Sequence, residues 1–243
     1  MQNPKTELKN YLNKLIHRLL YIKGLNYQLK ILKEWETSER LISLEMGAYF
    51  FKLVVFSFNR TILIELCMLL NDREKRGIVD WLSKAKQHTK SLEPKLFNHD
   101  TNQYEVVKTL LYHNIISKHQ KVLEQKKELI NRIKGRRDKA LAHSDARYFN
   151  KPEDIYVKFP LSIKDVDDLI ETITDILKEQ YLYLIGGDLD INVYATTNVD
   201  TLLLNARAFK RVWHDKRAKL LFPYLYKLDN FEEALKEHLN KIK

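Results

Sequence analysis

From Pro4 to about Trp35, apolar residues recur at spacings of three and four with Lys and Arg between them, the period of a helix that buries one face. Asn3-Pro4 reads as a cap followed by a first helical residue, and the pattern from there to about Trp35 predicts a long helix bent at Gly24. Thr37-Ser38-Glu39-Arg40 restarts the chain, and residues 41–70 follow as a second long helix that stops at Asn71-Asp72. A shorter helix is expected over 75–87. Residues 91–98, which contain Pro94, read as a loop. Residues 104–134 then carry a stripe of Val107, Leu111, Val122, Leu129 and Ile133, with a break or bend at Gly135. Between 148 and 161, Pro152 and Pro160 flank the β-leaning run Ile155-Tyr156-Val157, so this connection is expected to be non-helical. Ser162 and Asp165 have capping spacing for a helix from Ile163 to about Ile185, which Gly186-Gly187 would stop. The polar stretch 188–198 is the best candidate boundary. It gives a helical domain over 1–185 and a basic helical extension over 186–243, with helices near 199–220 and 230–242.

Composition supports the helical reading. Six Gly and five Pro in 243 residues are too few to turn an all-β chain, so the expected class is all-α, an up-and-down bundle of long helices with a C-terminal helical extension. The most apolar stretch, 41–70, is interrupted by Glu45, Lys52, Arg60 and Glu65, whereas a bilayer span wants about 20 mostly apolar residues in a row, so no membrane is expected. The amino terminus lacks the apolar core of a signal peptide. A single cysteine, Cys67, excludes an internal disulfide framework and a thiolate-rich zinc cluster. The expected location is cytoplasmic.

Charge narrows the partners. The 42 Lys+Arg exceed the 32 Asp+Glu and leave +10, which favours an anionic partner such as nucleic acid or an acidic membrane surface without choosing between them. Segments 118–147 and 207–227 are the most basic. On a helix, Arg207, Lys210, Arg211, His214 and Arg217 share one face, with Leu202, Ala206, Phe209 and Trp213 on another about 100° round. Such a row is an RNA-binding face or a solvated one, with a membrane-surface helix a distant third reading. Tyr181, Tyr183, Tyr224 and Tyr226 could stack bases or fill cores.

Standard catalytic signatures are absent: no phosphate-binding glycine loop, no nucleophile elbow and no His-Glu-x-x-His pair. His113 and His119 stand six apart, about 120° from aligned on a helix, a poor metal pair, and no metal or cofactor is expected. Cys67 lies within an apolar run and reads as a core residue. What remains is Arg137-Asp138-Lys139-Ala140-Leu141-Ala142-His143-Ser144-Asp145. Arg207 and His214 share the bare Arg-to-His spacing, but only the first site also carries the neighbouring Asp138, Ala142 and Asp145.

This segment resembles the Arg-to-His signature of the HEPN superfamily, and its Arg-Asp-Lys-x-x-Ala-His-x-Asp form resembles the abortive-infection AbiU branch. The order of elements from Asn59-Arg60 through Asn71-Asp72 to the short helix ending near Gln87, and the helix after Ser162, is similar to that family's arrangement. The resemblance implies a HEPN-type bundle and a homodimeric, metal-independent endoribonuclease of an abortive-infection or toxin–antitoxin antiviral system. Arg137 and His143 would be catalytic, supported by Arg136, Asp138, Lys139 and Asp145. Asp145 stands where a better-known HEPN branch has Tyr, so regulation by modification of that Tyr is not implied.

Read without the family, the same residues leave two arginines open. On a straight helix Arg136 and His143 would lie about 20° apart, continuing the stripe of Val122, Leu129 and Ile133, whereas Arg137 would lie about 120° from His143. Helix geometry favours Arg136 and the family pattern favours Arg137. Chemistry suits RNA: an imidazole moves protons at neutral pH, and a guanidinium fork holds phosphorane oxygens. One imidazole cannot be base and acid at once, which is a reason to expect two copies across a two-fold interface. Asp138 could orient His143 or pair with Lys134 or Lys139. A non-catalytic module binding RNA or a partner protein is the alternative, and an antitoxin or sensor protein is a further expected partner.

Overall fold

The computed structural model describes residues 3–34, 36, 44, 48–70, 76–98, 101–142, 153–187, 189–191 and 203, with the backbone only for 140–142 and 153. Two compact units divide the chain, one of Met1–Lys30 with Lys52–Ala195 and one of Ile31–Phe51 with Thr196–Lys243.

The first element follows its capping chemistry. Asn3 Oδ1 accepts the Lys5 amide at 3.0 Å and its carbonyl accepts Glu7 N–H, which seats Pro4 as the first helical residue of α1 (Pro4–Glu34). This helix passes Gly24 without interruption. Helix α2 (Ala48–Leu69) buries Ile62, Leu66, Cys67 and Leu69 in its second half. Then come α3 (Ile78–Gln87), the single turn α4 (Thr89–Leu92), and a hairpin of β1 (Lys95–Asn98) and β2 (Gln103–Val106).

The hairpin corrects two expectations. Residues 95–98 are strand rather than loop, paired antiparallel with Lys95 opposite Val106 and Asn98 opposite Gln103, and 104–106 are strand rather than the start of a helix. Asn98 and Thr101 side chains both donate to the Glu105 carboxylate, and Phe97 meets Tyr104 edge to face at 5.1 Å. These cross-strand contacts hold four-residue strands that are too short to show a period of two.

Helix α5 (Thr109–Gln125) follows, then α6 (Lys127–Arg136), with the interruption at Lys126 rather than at Gly135. The buried stripe of α5 is Tyr112, Ile116, His119 and Leu123, while Leu111 is exposed and Val107 and Val122 are only partly buried. Leu129, Ile130 and Ile133 continue the buried face on α6. Residues Arg137–Ala142 form one π-helical turn. Residues 155–158, expected to be non-helical, belong to α7 (Glu153–Lys158): Ile155 is buried and its carbonyl accepts Phe159 N–H at 2.9 Å. Burial overrides the β-leaning side chains here, and the helix ends before Phe159 because a residue preceding proline resists helical backbone.

Helix α8 (Ile163–Ile185) begins as expected. Ser162 Oγ accepts Asp165 N–H at 3.0 Å while the Asp165 carboxylate accepts Ser162 N–H at 2.8 Å, a reciprocal box that holds the Asp165 carboxyl below its usual range. Gly186 ends it at φ 83°, with the Tyr104 ring against its Cα, so both backbone and space favour glycine.

Leucines and isoleucines of α1, α2, α3, α5, α6 and α8 form one core around Trp81 and Tyr112. Polar links set the order of helices around it. Trp81 Nε1–H donates to the Leu8 carbonyl and Tyr11 O–H to that of Gly77, tying α1 to α3. Arg18 pairs with Glu65 on α2, and Asn26 and Lys30 reach Asp167 on α8. No helix among the described residues is long and apolar enough to cross a membrane. In the second unit, Ile31, Leu32 and Leu203 are buried and Tyr49 and Phe50 are exposed.

Candidate active site

The segment bearing the arginine motif is held by the face of α6 that precedes it. Arg132 and Arg136, one turn apart, point the same way and reach consecutive carbonyls: Arg136 Nε–H donates to Phe159 O at 2.7 Å, and Arg132 donates to Pro160 O at 3.1 Å. Between them stands Gly135, whose bare Cα receives the Phe159 ring. A Cβ there would overlap it, with ring Cδ1 at 2.5 Å. The Arg136 guanidinium also lies over the Tyr156 ring, 4.9 Å from its centroid, and Lys158 Nζ lies 5.8 Å from that of Phe159.

These contacts separate the two arginines that sequence left open. Arg136 is a structural clamp on the segment after α7. Arg137 opens the π turn, and its Nε–H and a terminal N–H both donate to Asp138 Oδ1, at 2.8 and 2.6 Å. Asp138 therefore pairs with Arg137, a contact additional to those considered from sequence. About a quarter of the Arg137 side chain stays exposed. The straight-helix phase used to compare Arg136 with His143 does not carry past Arg137, because i→i+5 bonding widens the turn.

Cys67 on α2 is close enough to this turn to feel its charges. Burial pushes its thiol up to about 11, while the charges of Arg137 and Lys134 pull it down and that of Asp138 raises it. The thiol is thus a core group within electrostatic reach of the motif. His143, Asp145, and the basic row of Arg207, Lys210, Arg211, His214 and Arg217 lie outside the described residues, as do Tyr224 and Tyr226. The helices expected over 199–220 and 230–242 fall there too, apart from Leu203, which is helical and buried. Lys139 belongs to the π turn, two residues after Arg137. Tyr183 packs against Tyr112 at 5.6 Å and Tyr181 against the core, so these rings fill space.

A second buried polar group sits on α5 and α8. Tyr112 O–H donates to Gln180 Oε1 at 2.6 Å, which turns the Gln180 amide to donate to His119 Nδ1 at 2.9 Å. His119 Nε2–H then donates to Glu179 at 2.8 Å, so the imidazole is fixed as its Nε2–H tautomer with both nitrogens used. Burial holds it below its ordinary pKa, against the bond and charge of Glu179.

Comparison with known proteins settles what this arrangement belongs to. The sequence model of the AbiU2 family, a HEPN family, matches residues 5–203 and so spans every element described above, including the arginine turn. The chain belongs to the HEPN AbiU2 family. The match runs past Gly187 into the polar stretch after α8. Neither the curated proteins nor the solved structures contain a significant match. Arg137–Ala142 lies within the matched span. Lys134, Arg136, Arg137 and Lys139 stand against Asp138 within six residues.

Sequence reasoning missed Tyr156 and Phe159 as part of this site. They lie about twenty residues from the arginines that hold them, and the only hint was an apolar run between prolines.

Proposed function

We propose that the chain is an endoribonuclease working without a metal, in which Arg137 and His143 of two copies form one active centre. The observation that carries the reading is the family match across Arg137–Ala142, together with a π turn in which the partly exposed Arg137 is bound to Asp138 while Arg136 is bound to the Phe159 carbonyl. Strained or widened turns of this kind recur where a helix serves function rather than packing.

The chemistry balances on two imidazoles. Neutral His143 of one copy takes the proton from a ribose 2′-hydroxyl as that oxygen bonds to phosphorus. Protonated His143 of the second copy gives a proton to the 5′-oxygen as the P–O5′ bond breaks, leaving a 2′,3′-cyclic phosphate and a 5′-hydroxyl. Arg137 holds the non-bridging oxygens as charge gathers on them, exchanging part of its bond to Asp138 for the phosphate. Lys139 and Asp145 are supporting groups in this reading, and the row from Arg207 to Arg217 is a backbone-binding surface. A toxin–antitoxin or antiviral role, with an antitoxin or sensor partner, fits an activity harmful to its own cell.

With chelator present, the protein is expected to cut RNA and leave DNA of the same sequence intact, since DNA lacks the attacking hydroxyl. His143→Ala should lose at least about 10²-fold in rate with its circular dichroism unchanged. A His143→Ala protein as fast as the parent overturns the assignment, and RNA bound but never cut by the parent makes the chain a binding module.

A further inference from the structure

Tyr156 is 60% exposed and Val157 80%, on a six-residue helix whose Ile155 is its buried anchor. An aromatic ring so open is usually free to turn, but this one is backed on one face by the Arg136 guanidinium. That guanidinium is itself pinned, through Nε–H to Phe159 O, and Phe159 is seated against Gly135. The ring is thus set in place before any ligand arrives, with surface left for a second stacking partner. Its backing residue is the immediate neighbour of Arg137.

We propose that Tyr156 is a stacking platform for an unpaired RNA base, so that the substrate is single-stranded RNA with an unstacked nucleotide beside the phosphate held at Arg137. The proposal rests on the ribonuclease reading of the neighbouring turn. Every base offers a π face, and stacking on an aromatic side chain tolerates any sequence. A base inside a duplex is already stacked on its neighbours and cannot reach the ring, so the platform selects for loops and single strands. Arg136 acts here as a positioning residue: it fixes the ring, and the ring that it holds takes part in binding at low cost in lost freedom.

The test measures binding by fluorescence anisotropy with a short 2′-O-methyl RNA, which cannot be cut, both single-stranded and annealed to its complement. Cleavage of the unmodified strand is measured alongside. Tyr156→Ala is expected to weaken single-strand binding by about 5- to 150-fold and to raise KM far more than it lowers kcat, and Tyr156→Phe to match the parent. Duplex binding should be weaker and unmoved by either substitution. Equal single-strand affinity for Tyr156→Ala and the parent overturns the platform, as does an equal loss for single strand and duplex. If Tyr156→Ala matches the parent while His143→Ala abolishes cleavage, the platform fails and the ribonuclease stands. If nothing is cut but single strands bind through Tyr156, the ribonuclease fails and the platform stands. No binding of either RNA by the parent overturns both.

Discussion

Gly135→Ala tests how the motif-bearing helix is held. In an ordinary helix interior alanine is favoured over glycine by about 1 kcal/mol. At this position the new Cβ would overlap the Phe159 ring, with Cδ1 at 2.5 Å and Cζ at 2.7 Å, so the ring must move by roughly 1 Å to regain ordinary contact. Overpacking of this kind costs about 1–3 kcal/mol. Retreat of the ring also drags the Phe159 carbonyl from Arg136 and the Pro160 carbonyl from Arg132, bonds worth about 1 kcal/mol each. The propensity gain is outweighed, and a net loss of about 1–2 kcal/mol is expected in urea denaturation followed by circular dichroism. The same substitution made in a Phe159→Ala background should be neutral or stabilising by up to about 1 kcal/mol, because the obstacle is gone. An equal loss in both backgrounds, or a gain in the parent, refutes the packing argument.

Other consequences follow from groups away from the turn. Cys67, buried with its thiol at about 11, should react with a disulfide reagent at pH 8 only as fast as the protein opens; labelling at the rate of a free thiol would contradict its burial. His119 is held neutral below its ordinary value of 6.5. Its contribution is therefore complete above about pH 6.5 and is lost as pH falls below that, because the unfolded chain takes up a proton that the folded core refuses. Between pH 6.5 and 5.5 the urea midpoint of the parent should drop more than that of His119→Gln, and parallel curves would sink the claim. Ser162→Ala removes one side of the α8 box and should cost about 0.5–2 kcal/mol in the same denaturation experiment, an unchanged midpoint being the contrary result.

What could be read from the sequence was mostly local. Asn3-Pro4, Ser162 with Asp165, and Gly186 each declare a helix end through their own backbone chemistry, and the structure places the ends there. The stripe of α5 was misphased because Leu110, Leu111 and Tyr112 are all apolar while the buried set includes a histidine, so periodicity alone could not choose the face. Residues 155–158 misled for the opposite reason: β-branched and aromatic side chains accept a helix when Ile155 finds the core and Tyr156 a cation. The family was legible by resemblance at the arginine motif, and the match over residues 5–203 bears out the family. The division of labour between Arg136 and Arg137 was not legible, since it depends on a carbonyl at Phe159, 23 positions further on.

The central claim is a ribonuclease centre built from two copies of the Arg137–His143 motif, and mixed dimers test it most directly. Co-expression of parent and His143→Ala chains in equal amounts leaves about a quarter of the dimers with both imidazoles. If each cut needs one histidine as base and one as acid, RNA cleavage per total protein should fall to about a quarter of the parent's. Cleavage at about half the parent's rate would mean that each copy acts alone, and no cleavage by the parent would remove the nuclease altogether.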